Sequence, residues 1–558
     1  MKQESARETQ LGKVQISDLP FSEIPHQSRL FLEYQSDPLS LKRFYPNAVS
    51  SPSEIRSFVP EVLANYHTDR NALCDALTEI NVNAGAGKQA LDNIELLRDS
   101  KTVAVLTGQQ AGFISGPLYT IYKALSAIKM AATLKEQGIS AVPVFWAATE
   151  DHDFEEVSQA FFIGKTGEIV KTKYKIDEVS AGKPVGDVTI DSSIGRSIDE
   201  LFEQLSETEF SPYLKALLAS TYSVENGFGD AFIKTLSAIF AEFGLIFIDP
   251  MHPGIKALSS SIYAEAIEKS DEIVEAIRER SRQLEADGYH SQVLVEADYF
   301  SLFLINDDGK RTALRKSKDN GYRVKDDRRD FSRAELIKIA QNEPQRLSPG
   351  VMLRPVVQDY LLPTLCYFGG AAEIAYFAQN SDAYRILNRP VTPTLHRQSF
   401  TIIEAKHRKV LEKFDLTLSR LFDGVEIISL QLAENIMPSD TAGLFANVEE
   451  IINTEFNRLD QYVSKIDVTV AENLAKRRRK MIYHIAALRK KTLLAQVRKD
   501  KITYRQIENL FTSLLPQGGL QERTLNVFTY LNKFGPNFIE WLYQSIDLED
   551  KDHRIVDL

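Results

Sequence analysis

The fold is decided by residues 102–157, which read TVAVLTGQQAGFISGPLYTIYKALSAIKMAATLKEQGISAVPVFWAATEDHDFEEV. Within them, TVAVL (102–106) and AVPVFWA (141–147) are short apolar runs, typical of strands buried on both faces of a sheet. The intervening segment 118–138 has apolar residues at helical spacing and ends in a glycine suited to a helix C-terminus. The stretch therefore predicts a β-α-β unit and, with it, a parallel sheet of the α/β class.

The same alternation recurs further along the chain. FGLIFIDP (243–250) predicts a buried strand followed by a helix over about 253–285. TLCYFGG (364–370) predicts another strand, which stops at paired glycines before a helix that begins at Ala371. A proline-flanked strand is predicted just before Arg397.

Two less regular segments are predicted to be insertions into this sheet domain. They lie near 160–192 and 285–345, and the second carries a hairpin around Asp308 and Gly309. With an N-terminal helical region, the core domain is expected to span 1–400.

The rest of the chain is predicted to be helical. From Phe445 apolar residues step by three or four to Leu474 and resume at Met481, which predicts one long coiled-coil helix. Residues 401–422 are expected to form its shorter antiparallel partner. The predicted domains are thus a coiled-coil domain over 401–515 and a helical segment over 516–558 that docks on the core.

The composition excludes several classes of protein. The 558 residues are 43% hydrophobic and 26% charged, as in ordinary globular proteins, and the net charge of −11 argues against a dedicated nucleic-acid binder. Cys74 and Cys366 alone cannot build a disulfide scaffold or a cysteine-rich zinc module. The first residues lack the apolar stretch of a secretory signal, and no run is long enough to cross a membrane. We therefore expect a soluble, cytoplasmic protein.

Polar side chains follow the predicted strands where each strand ends. An open parallel sheet binds its ligands at the carboxyl ends of its strands, so these groups are expected to converge. They are Thr107, Gly108, Gln109 and Gln110 after the first strand, Glu150, Asp151, His152 and Asp153 after the second, Asp249 after the third, and Gly369 and Gly370 after the fourth.

The loop TGQQAGFISGP (107–117) has small residues where backbone must approach a ligand, and it precedes a helix N-terminus suited to phosphate or carboxylate. It matches neither GxGxxG nor a Walker A loop, so a plain strand-to-helix turn remains an alternative. The paired amides favour a binding role. Gly116, Tyr119 and Lys123 are further candidates for contacts to a nucleotide or substrate.

The segment Glu150–Asp153 has three explanations. One histidine with hard carboxylates would suit Mg²⁺ or Mn²⁺ better than structural Zn²⁺. A histidine beside carboxylates is also a general-base candidate, because negative neighbours raise its pKa. The third explanation is an acidic loop that caps a helix beginning near Phe154. Its place at the sheet edge favours catalysis by Glu150, Asp151, His152 and Asp153.

The later segment 347–376 is dense with polar groups inside apolar sequence. Arg354, Gln358, Asp359 and Glu373 would each need partners if buried. Arg354 is a candidate clamp for carboxylate or phosphate, although a structural ion pair with Asp359 is an equal alternative. Arg397 follows a strand and joins the binding candidates.

Four motifs of this chain resemble the cysteine ligase family of bacillithiol biosynthesis. They are LTGQQAGFISGPLYTIYKA (106–124), VPVFWAATEDHDFEEV (142–157), LRPVVQDYLLPT (353–364) with FGGAAEIAY (368–376), and GGLQERTLNV (518–527). The resemblance implies addition of cysteine to glucosaminyl malate, the last step in making bacillithiol. It also implies a Rossmann-like core related to nucleotidylyltransferases and class I aminoacyl-tRNA synthetases, with inserted connecting segments, and a coiled coil that forms a homodimer.

The implied reaction makes an amide, which in water requires an activated carboxylate, usually through ATP. Class I synthetases carry HxGH and KMSKS motifs, which this chain lacks, so an adenylate and an acyl phosphate (with ADP as product) both remain open. No Cys/His set could hold zinc, whereas Mg²⁺ stays open. Within the family reading, Gln109 and Gln110 contact phosphate or substrate, and His152 deprotonates or orients the amine.

Two other functions compete with this one. A nucleotidyl-transferring or RNA-acting enzyme could use the basic run KRRRK (476–480), but a solvated coiled-coil face explains that run better. A non-catalytic coiled-coil scaffold could retain a vestigial nucleotide pocket. The acidic net charge weighs against RNA, and the clustered edge motifs weigh against a scaffold.

Overall fold

The protein is described here by a computed structural model covering residues 7–9, 12–317, 321–324, 329–436 and 439–558. The chain divides into two compact units. Unit 1 comprises Met1–Thr401 with Gln521–Val556, and unit 2 comprises Ile402–Leu520 with Asp557–Leu558. Most of the C-terminal segment therefore belongs to the same unit as the sheet.

The described strands and α-helices are numbered in chain order. The strands are β1 (Arg7–Thr9), β2 (Gly12–Leu19), β3 (Val103–Gln110), β4 (Ala141–Ala148), β5 (Gln159–Ile163), β6 (Ile169–Lys173), β7 (Ile246–Ile248), β8 (Tyr299–Ile305), β9 (Arg311–Lys316), β10 (Tyr322–Val324), β11 (Asp330–Phe331), β12 (Leu347–Pro349), β13 (Thr364–Gly369), β14 (Thr394–His396), β15 (Phe400–Ile403) and β16 (His553–Asp557). The helices of unit 1 are α1 (Arg29–Ser36), α2 (Val59–Ala64), α3 (Arg70–Asn83), α4 (Lys88–Leu97), α5 (Leu118–Glu136), α6 (Phe154–Val157), α7 (Ser193–Gln204), α8 (Ser211–Thr221), α9 (Phe228–Ile239), α10 (Pro253–Glu268), α11 (Ser270–Ala286), α12 (Arg333–Asn342), α13 (Arg354–Leu361), α14 (Ala371–Ile386), α21 (Gln521–Thr524), α22 (Phe528–Phe534) and α23 (Asn537–Ser545). Those of unit 2 are α15 (Ala405–Lys413), α16 (Leu418–Leu421), α17 (Val425–Ile436), α18 (Ser439–Val463), α19 (Val468–Lys499) and α20 (Lys501–Leu514).

The core of unit 1 is a five-stranded parallel sheet with the order β14-β13-β3-β4-β7. This arrangement confirms the predicted α/β class and the predicted strands. From central β3 the chain moves outward through β4 to β7, then returns to the opposite side of β3 at β13. That reversal creates a topological switch point between β3 and β13, where open α/β sheets bind ligands.

The strands of this sheet are buried because helices cover both faces. Residues 103–106 of β3 are fully buried, as the unbroken apolar run predicts. The helix predicted over 253–285 is instead two helices, since α10 ends at Glu268 and α11 begins at Ser270. Lys269 lies between them, and its Nζ donates to the carbonyl of Ile386 at 2.8 Å.

Both predicted insertions contain hairpins. β5 and β6 form one, and β8 and β9 form another whose turn includes Asp308 and Gly309. The second hairpin belongs to a sheet with the order β11-β10-β9-β8-β12. The first insertion runs on past residue 192 into α7, α8 and α9, further than the alternating pattern indicated.

The single long helix predicted in the coiled-coil region is wrong, because the chain turns between Val463 and Val468. Apolar spacing continues across this turn through Ile466, so heptad counting could not detect it. α18 and α19 pair through Arg478, whose guanidinium donates to the amide oxygens of Asn453 and Asn457 at 2.7 to 2.9 Å. Arg478 belongs to the KRRRK run, which supports the structural reading of that run.

The predicted partner over 401–422 is also wrong. That segment holds the end of β15 and the short helices α15 and α16. α19 packs instead against α17 and α20, where Ile428, Leu493 and Ile507 share one apolar cluster. In the described part of the chain, no helix combines the length and the apolar character needed to span a bilayer.

A buried histidine on β16 links two segments of unit 1. His553 is fully buried, with ring nitrogens 2.7 Å from the Ser399 hydroxyl and 2.8 Å from the Thr401 hydroxyl. Burial lowers the pKa of His553 to about 4, although Glu522 opposes this shift.

Because of this histidine, we expect the folded protein to lose stability in acid. Between about pH 6.5 and pH 4 the unfolded chain binds a proton that the folded chain does not, so the free energy of unfolding falls as pH falls. The loss should reach about 3 kcal/mol near pH 4, at about 1.4 kcal/mol per pKa unit. Urea unfolding at pH 7 and pH 4.5 measures it, and His553→Gln should reduce the difference. Equal pH dependence in both proteins would contradict this assignment.

Candidate active site

A cavity of about 630 Å³ opens at the carboxyl edge of the parallel sheet. It includes the switch point between β3 and β13. The predicted site residues that line it are Gly108, Gln109, Gln110, Tyr119, Lys123, Glu150, Asp151, His152, Asp153, Arg354, Gly370, Glu373 and Arg397. Sequence-distant candidates thus converge as the strand-end rule predicts.

Two predicted residues shape the edge without lining the cavity. The Thr107 hydroxyl donates to the Phe368 carbonyl at 2.8 Å and ties β3 to β13. Gly369 permits a close approach, because a Cβ there would lie 2.9 Å from the Cβ of Glu373. Both residues are better explained by backbone geometry than by ligand contact.

Asp249 and Gly116 also lie off this cavity. Asp249 accepts hydrogen bonds from the Thr149 hydroxyl at 2.5 Å and the Met251 N–H at 3.0 Å. Burial raises the pKa of its carboxyl. Asp249 therefore stabilises the end of β7, while Gly116 lines a smaller neighbouring cavity.

Gln358 and Asp359 do not line the cavity, whereas Arg354 does. Arg354 donates to the Gln358 side-chain oxygen at 3.0 Å, and the Gln358 amide donates to Asp359 at 3.0 Å. The sequence left open a direct ion pair between Arg354 and Asp359. Instead, Gln358 connects the two side chains through these hydrogen bonds. Arg354 also donates to the Tyr376 hydroxyl at 2.6 Å and has no carboxylate partner among the described residues.

His152 is held by an arginine that the sequence analysis missed. Arg311, at the start of β9, donates from Nη1 to His152 Nδ1 at 3.0 Å, from Nε to the Ser348 hydroxyl and from Nη2 to the Pro349 carbonyl. Its guanidinium stacks 3.7 Å from the ring centroid of Phe303. Arginine can only donate, so His152 Nδ1 accepts and the proton of the neutral ring lies on Nε2.

Asp151 is fixed as an anion beside this histidine. Burial would raise its pKa, but the neighbouring His152 side chain, the Gln110 amide at 2.6 Å, the charge of Arg311 and the His152 backbone N–H at 2.7 Å together hold the pKa well below its usual range. Its Oδ1 lies 3.6 Å from His152 Nδ1, beyond hydrogen-bond distance. Asp151 therefore orients its neighbours and is too weak a base to exchange protons near neutrality.

The other two acidic residues of this loop, Glu150 and Asp153, make structural contacts. Asp153 is the N-cap of α6 and accepts from the Glu156 N–H at 3.3 Å, as the capping alternative predicted. Glu150 is buried and forms an ion pair with Lys256, whose Nζ also donates to the Leu347 carbonyl at 2.6 Å. This pair anchors the loop to α10.

A second buried pair lies at the switch point. Lys123 forms an ion pair with Glu373 and donates to the Gly108 carbonyl and the Gln109 side-chain oxygen, both at 2.8 Å. Burial lowers the pKa of Lys123 despite the attraction of Glu373. Burial pushes the pKa of Glu373 up, but Lys123 and the Gly370 N–H outweigh it and lower that pKa. The pair fixes the last residues of β3.

Arg397 forms a third pair, with the buried Glu522 of the C-terminal segment. Two N–H groups of Arg397 donate to the carboxylate at 2.9 and 2.6 Å. Its Nε–H is buried and has no hydrogen-bond partner among the residues that the structure describes, and the same holds for the indole N–H of Trp146, another residue of the cavity wall. Buried donors of this kind need an acceptor, which a ligand carrying oxygen atoms would supply.

The cavity is electrically polarised. The carboxylates Glu150, Asp151, Asp153 and Glu156 all come from the segment after β4, whereas the cations Lys123, Arg354, Arg397 and Arg523 come from α5, α13, the segment after β14 and α21. Lys256 and Arg311 offset part of the negative charge, while Glu373 and Glu522 offset part of the positive charge. Ammonium groups are favoured at one end and phosphates or carboxylates at the other.

Among the described residues, no group of three or more His, Cys, Asp or Glu side chains is placed to hold a metal ion. The expectations that zinc is absent and that Mg²⁺ takes part stay predictions.

Comparison with known proteins decides the family. Residues 15–398 match the family model described as bacillithiol biosynthesis BshC, N-terminal Rossmann-like domain, and residues 400–558 match the C-terminal coiled-coil domain of BshC. The chain belongs to the BshC family. The predicted family, the Rossmann-like core, the coiled-coil domain and the enzyme class of a ligase are confirmed.

Relatives match the chain over nearly its whole length. A Salinibacter ruber protein named "Putative cysteine ligase BshC" is 33% identical over 529 residues, which cover 94% of this chain and 96% of the relative. A Koribacter versatilis protein of the same name is 32% identical and covers 96% of this chain and 99% of the relative. A Campylobacter jejuni crystal structure titled as an arginyl-tRNA synthetase ("putative" in its title) is 11% identical and covers 82% of this chain and 99% of that one. Its TM-score of 0.21 is too low to indicate a shared fold.

Sequence reasoning missed several residues of this candidate site. Arg311 and Phe303 lie in the second inserted hairpin, where the sequence analysis recognised only the turn. Lys256 lies in α10, a helix in which no residue was singled out. Arg523 stands inside the motif GGLQERTLNV, whose resemblance to the family was the one available signal. Phe303, Arg311 and Arg523 do not follow a strand of the parallel sheet, and Lys256 lies inside the helix after β7, beyond the residues that directly follow the strand, so the strand-end rule did not find them.

Proposed function

We propose that this protein joins the carboxyl group of cysteine to the amine of glucosaminyl malate, using ATP to activate the carboxylate. The cysteine carboxylate attacks a phosphorus of ATP, giving an acyl adenylate and pyrophosphate, or an acyl phosphate and ADP. The amine then attacks the acyl carbon and loses a proton, and AMP or phosphate leaves. The observation that carries the proposal is the polarised cavity at the switch point.

The polarity of the cavity supports one orientation of the substrates. Phosphates of ATP and carboxylates of the malyl group suit the end that carries Arg354, Arg397 and Lys123. The amine suits the opposite end, beside the carboxylates of the β4 loop. Mg²⁺ would enter with the phosphates of ATP.

His152 is best suited to donate a hydrogen bond in this reaction. With Nδ1 engaged by Arg311, its ring has no free lone pair for the amine proton. Its Nε2–H can donate to the oxyanion that forms when the amine attacks the acyl carbon. Of the two roles expected from the sequence, orientation is therefore favoured over deprotonation.

The experiment that tests the proposal is an assay of the purified enzyme with L-cysteine, glucosaminyl malate and MgATP. Mass spectrometry should detect the amide product only when all three are present. AMP with pyrophosphate would identify an adenylate, and ADP with phosphate would identify an acyl phosphate. Failure of folded protein to form the product under these conditions would reject the proposal.

We also propose that two copies associate through the coiled-coil region of unit 2. Apolar side chains of α18 and α19 are exposed, among them Leu444, Ile451, Tyr462 and Tyr483. A row of this kind is typical of a surface that a partner covers. Sedimentation should report a dimer that Ile451→Lys with Tyr483→Lys weakens at least tenfold, and a monomeric wild type would reject the dimer.

A further inference from the structure

A second cavity of about 210 Å³ adjoins the active-site cavity. The two cavities share part of their walls, formed by Gln109, Gln110, Tyr119, Glu156 and Arg523. A molecule in the small cavity therefore has one end at the boundary of the large one.

Two opposite charges stand at that boundary without pairing to each other. Arg523 makes no hydrogen bond or ion pair with any described residue. The charge of Arg523 lowers the pKa of the Tyr119 hydroxyl, and the charge of Glu156 raises it. Glu156 accepts one hydrogen bond, from the Gln110 amide at 3.0 Å. Both groups thus lie near the Tyr119 ring, with hydrogen-bonding capacity left for a ligand.

The remaining wall of the small cavity is partly apolar, with Val157, Ala160 and Phe161. Its volume is one third of that of the active-site cavity, so it suits a ligand with few non-hydrogen atoms, such as cysteine, better than a nucleotide or a sugar malate, which have several times more. Size, paired charges and an apolar wall together fit a small α-amino acid in its zwitterionic form.

We propose that the small cavity binds the cysteine substrate. Its carboxylate contacts Arg523, its ammonium group contacts Glu156, and its thiol packs against Val157, Ala160 and Phe161. This inference rests on the proposed ligase function. It places the carboxylate at the boundary of the large cavity, where ATP and the acceptor amine reach it, and it needs no metal to bind the thiol.

Titration calorimetry under reducing conditions, with and without a non-hydrolysable ATP analogue, tests the two contacts separately. The ligands are L-cysteine, cysteamine, which lacks the carboxylate, and 3-mercaptopropionate, which lacks the ammonium group. Wild-type protein should bind cysteine at least tenfold more tightly than either analogue, because each loses one charge-assisted contact.

The variants should remove these preferences one at a time. Arg523→Gln should bind cysteine and cysteamine equally, and Glu156→Gln should bind cysteine and 3-mercaptopropionate equally. Arg56→Gln and Glu61→Gln make the same changes at exposed positions outside both cavities and should behave as wild type.

Each other outcome overturns the inference. Unchanged cysteine binding in both variants, in an active ligase, would place cysteine elsewhere and leave the proposed function intact. If the variants bound all three ligands more weakly by the same factor, the substitutions would have distorted the cavity in general and would not have removed two specific contacts. Wild-type protein that binds no cysteine in either condition would overturn the subsite and the ligase proposal together.

Discussion

Replacing His152 by alanine is expected to lower kcat about 100- to 1,000-fold, with a much smaller change in KM. Removal of one donor to a developing oxyanion typically costs this much, because the donor acts mainly in the transition state. The geometry behind this expectation is the 3.0 Å hydrogen bond from Arg311 to Nδ1, which leaves the proton on Nε2. Steady-state kinetics of product formation measures the effect.

His152→Gln separates donation from proton abstraction. Glutamine keeps an N–H donor but cannot serve as a base near neutrality, so this variant should retain about tenfold more activity than His152→Ala. A general base would give another pattern. Both variants would then lose the same fraction of the wild-type kcat.

Replacing Glu522 by glutamine is expected to lower the free energy of unfolding of unit 1 by about 3–5 kcal/mol. The change leaves the Arg397 cation buried without its counter-charge, and the loss of one partner of a buried pair is costly in this range. The two side chains are 5% and 2% exposed, so water cannot replace the lost carboxylate. Urea unfolding, monitored by circular dichroism, measures the loss.

An exposed ion pair of the same unit provides the matched control. Arg43 and Asp287 lie 2.8 Å apart, with side chains that are 52% and 39% exposed. Asp287→Asn should therefore cost no more than about 1 kcal/mol. If Glu522→Gln changes stability as little as this control, the buried pair does not hold the C-terminal segment in unit 1.

The sequence was sufficient for the parallel sheet and for most of the site that lies on it. Apolar runs, helical spacing and the positions of glycines are local signals, and each strand of a parallel sheet delivers the residues after it to the same edge. His152 and Gly370 were found in this way, and so was Gln109, although β3 continues to Gln110 and Gln109 lies at the end of the strand, not after it. The same local reasoning failed at the turn between α18 and α19, because apolar spacing continued through it.

Only the tertiary structure decided which partners the candidate site residues contact. His152 and Arg311 are 159 residues apart, Glu150 and Lys256 are 106 apart, and Arg397 and Glu522 are 125 apart. The sequence by itself determined the family, the sheet and the edge at which most of the candidate site residues converge. The tautomer of His152, the pairing of the buried charges and the two cavities depend on contacts between distant segments. Hydrogen bonds and ion pairs act over a few ångströms, so only folding brings those partners within range.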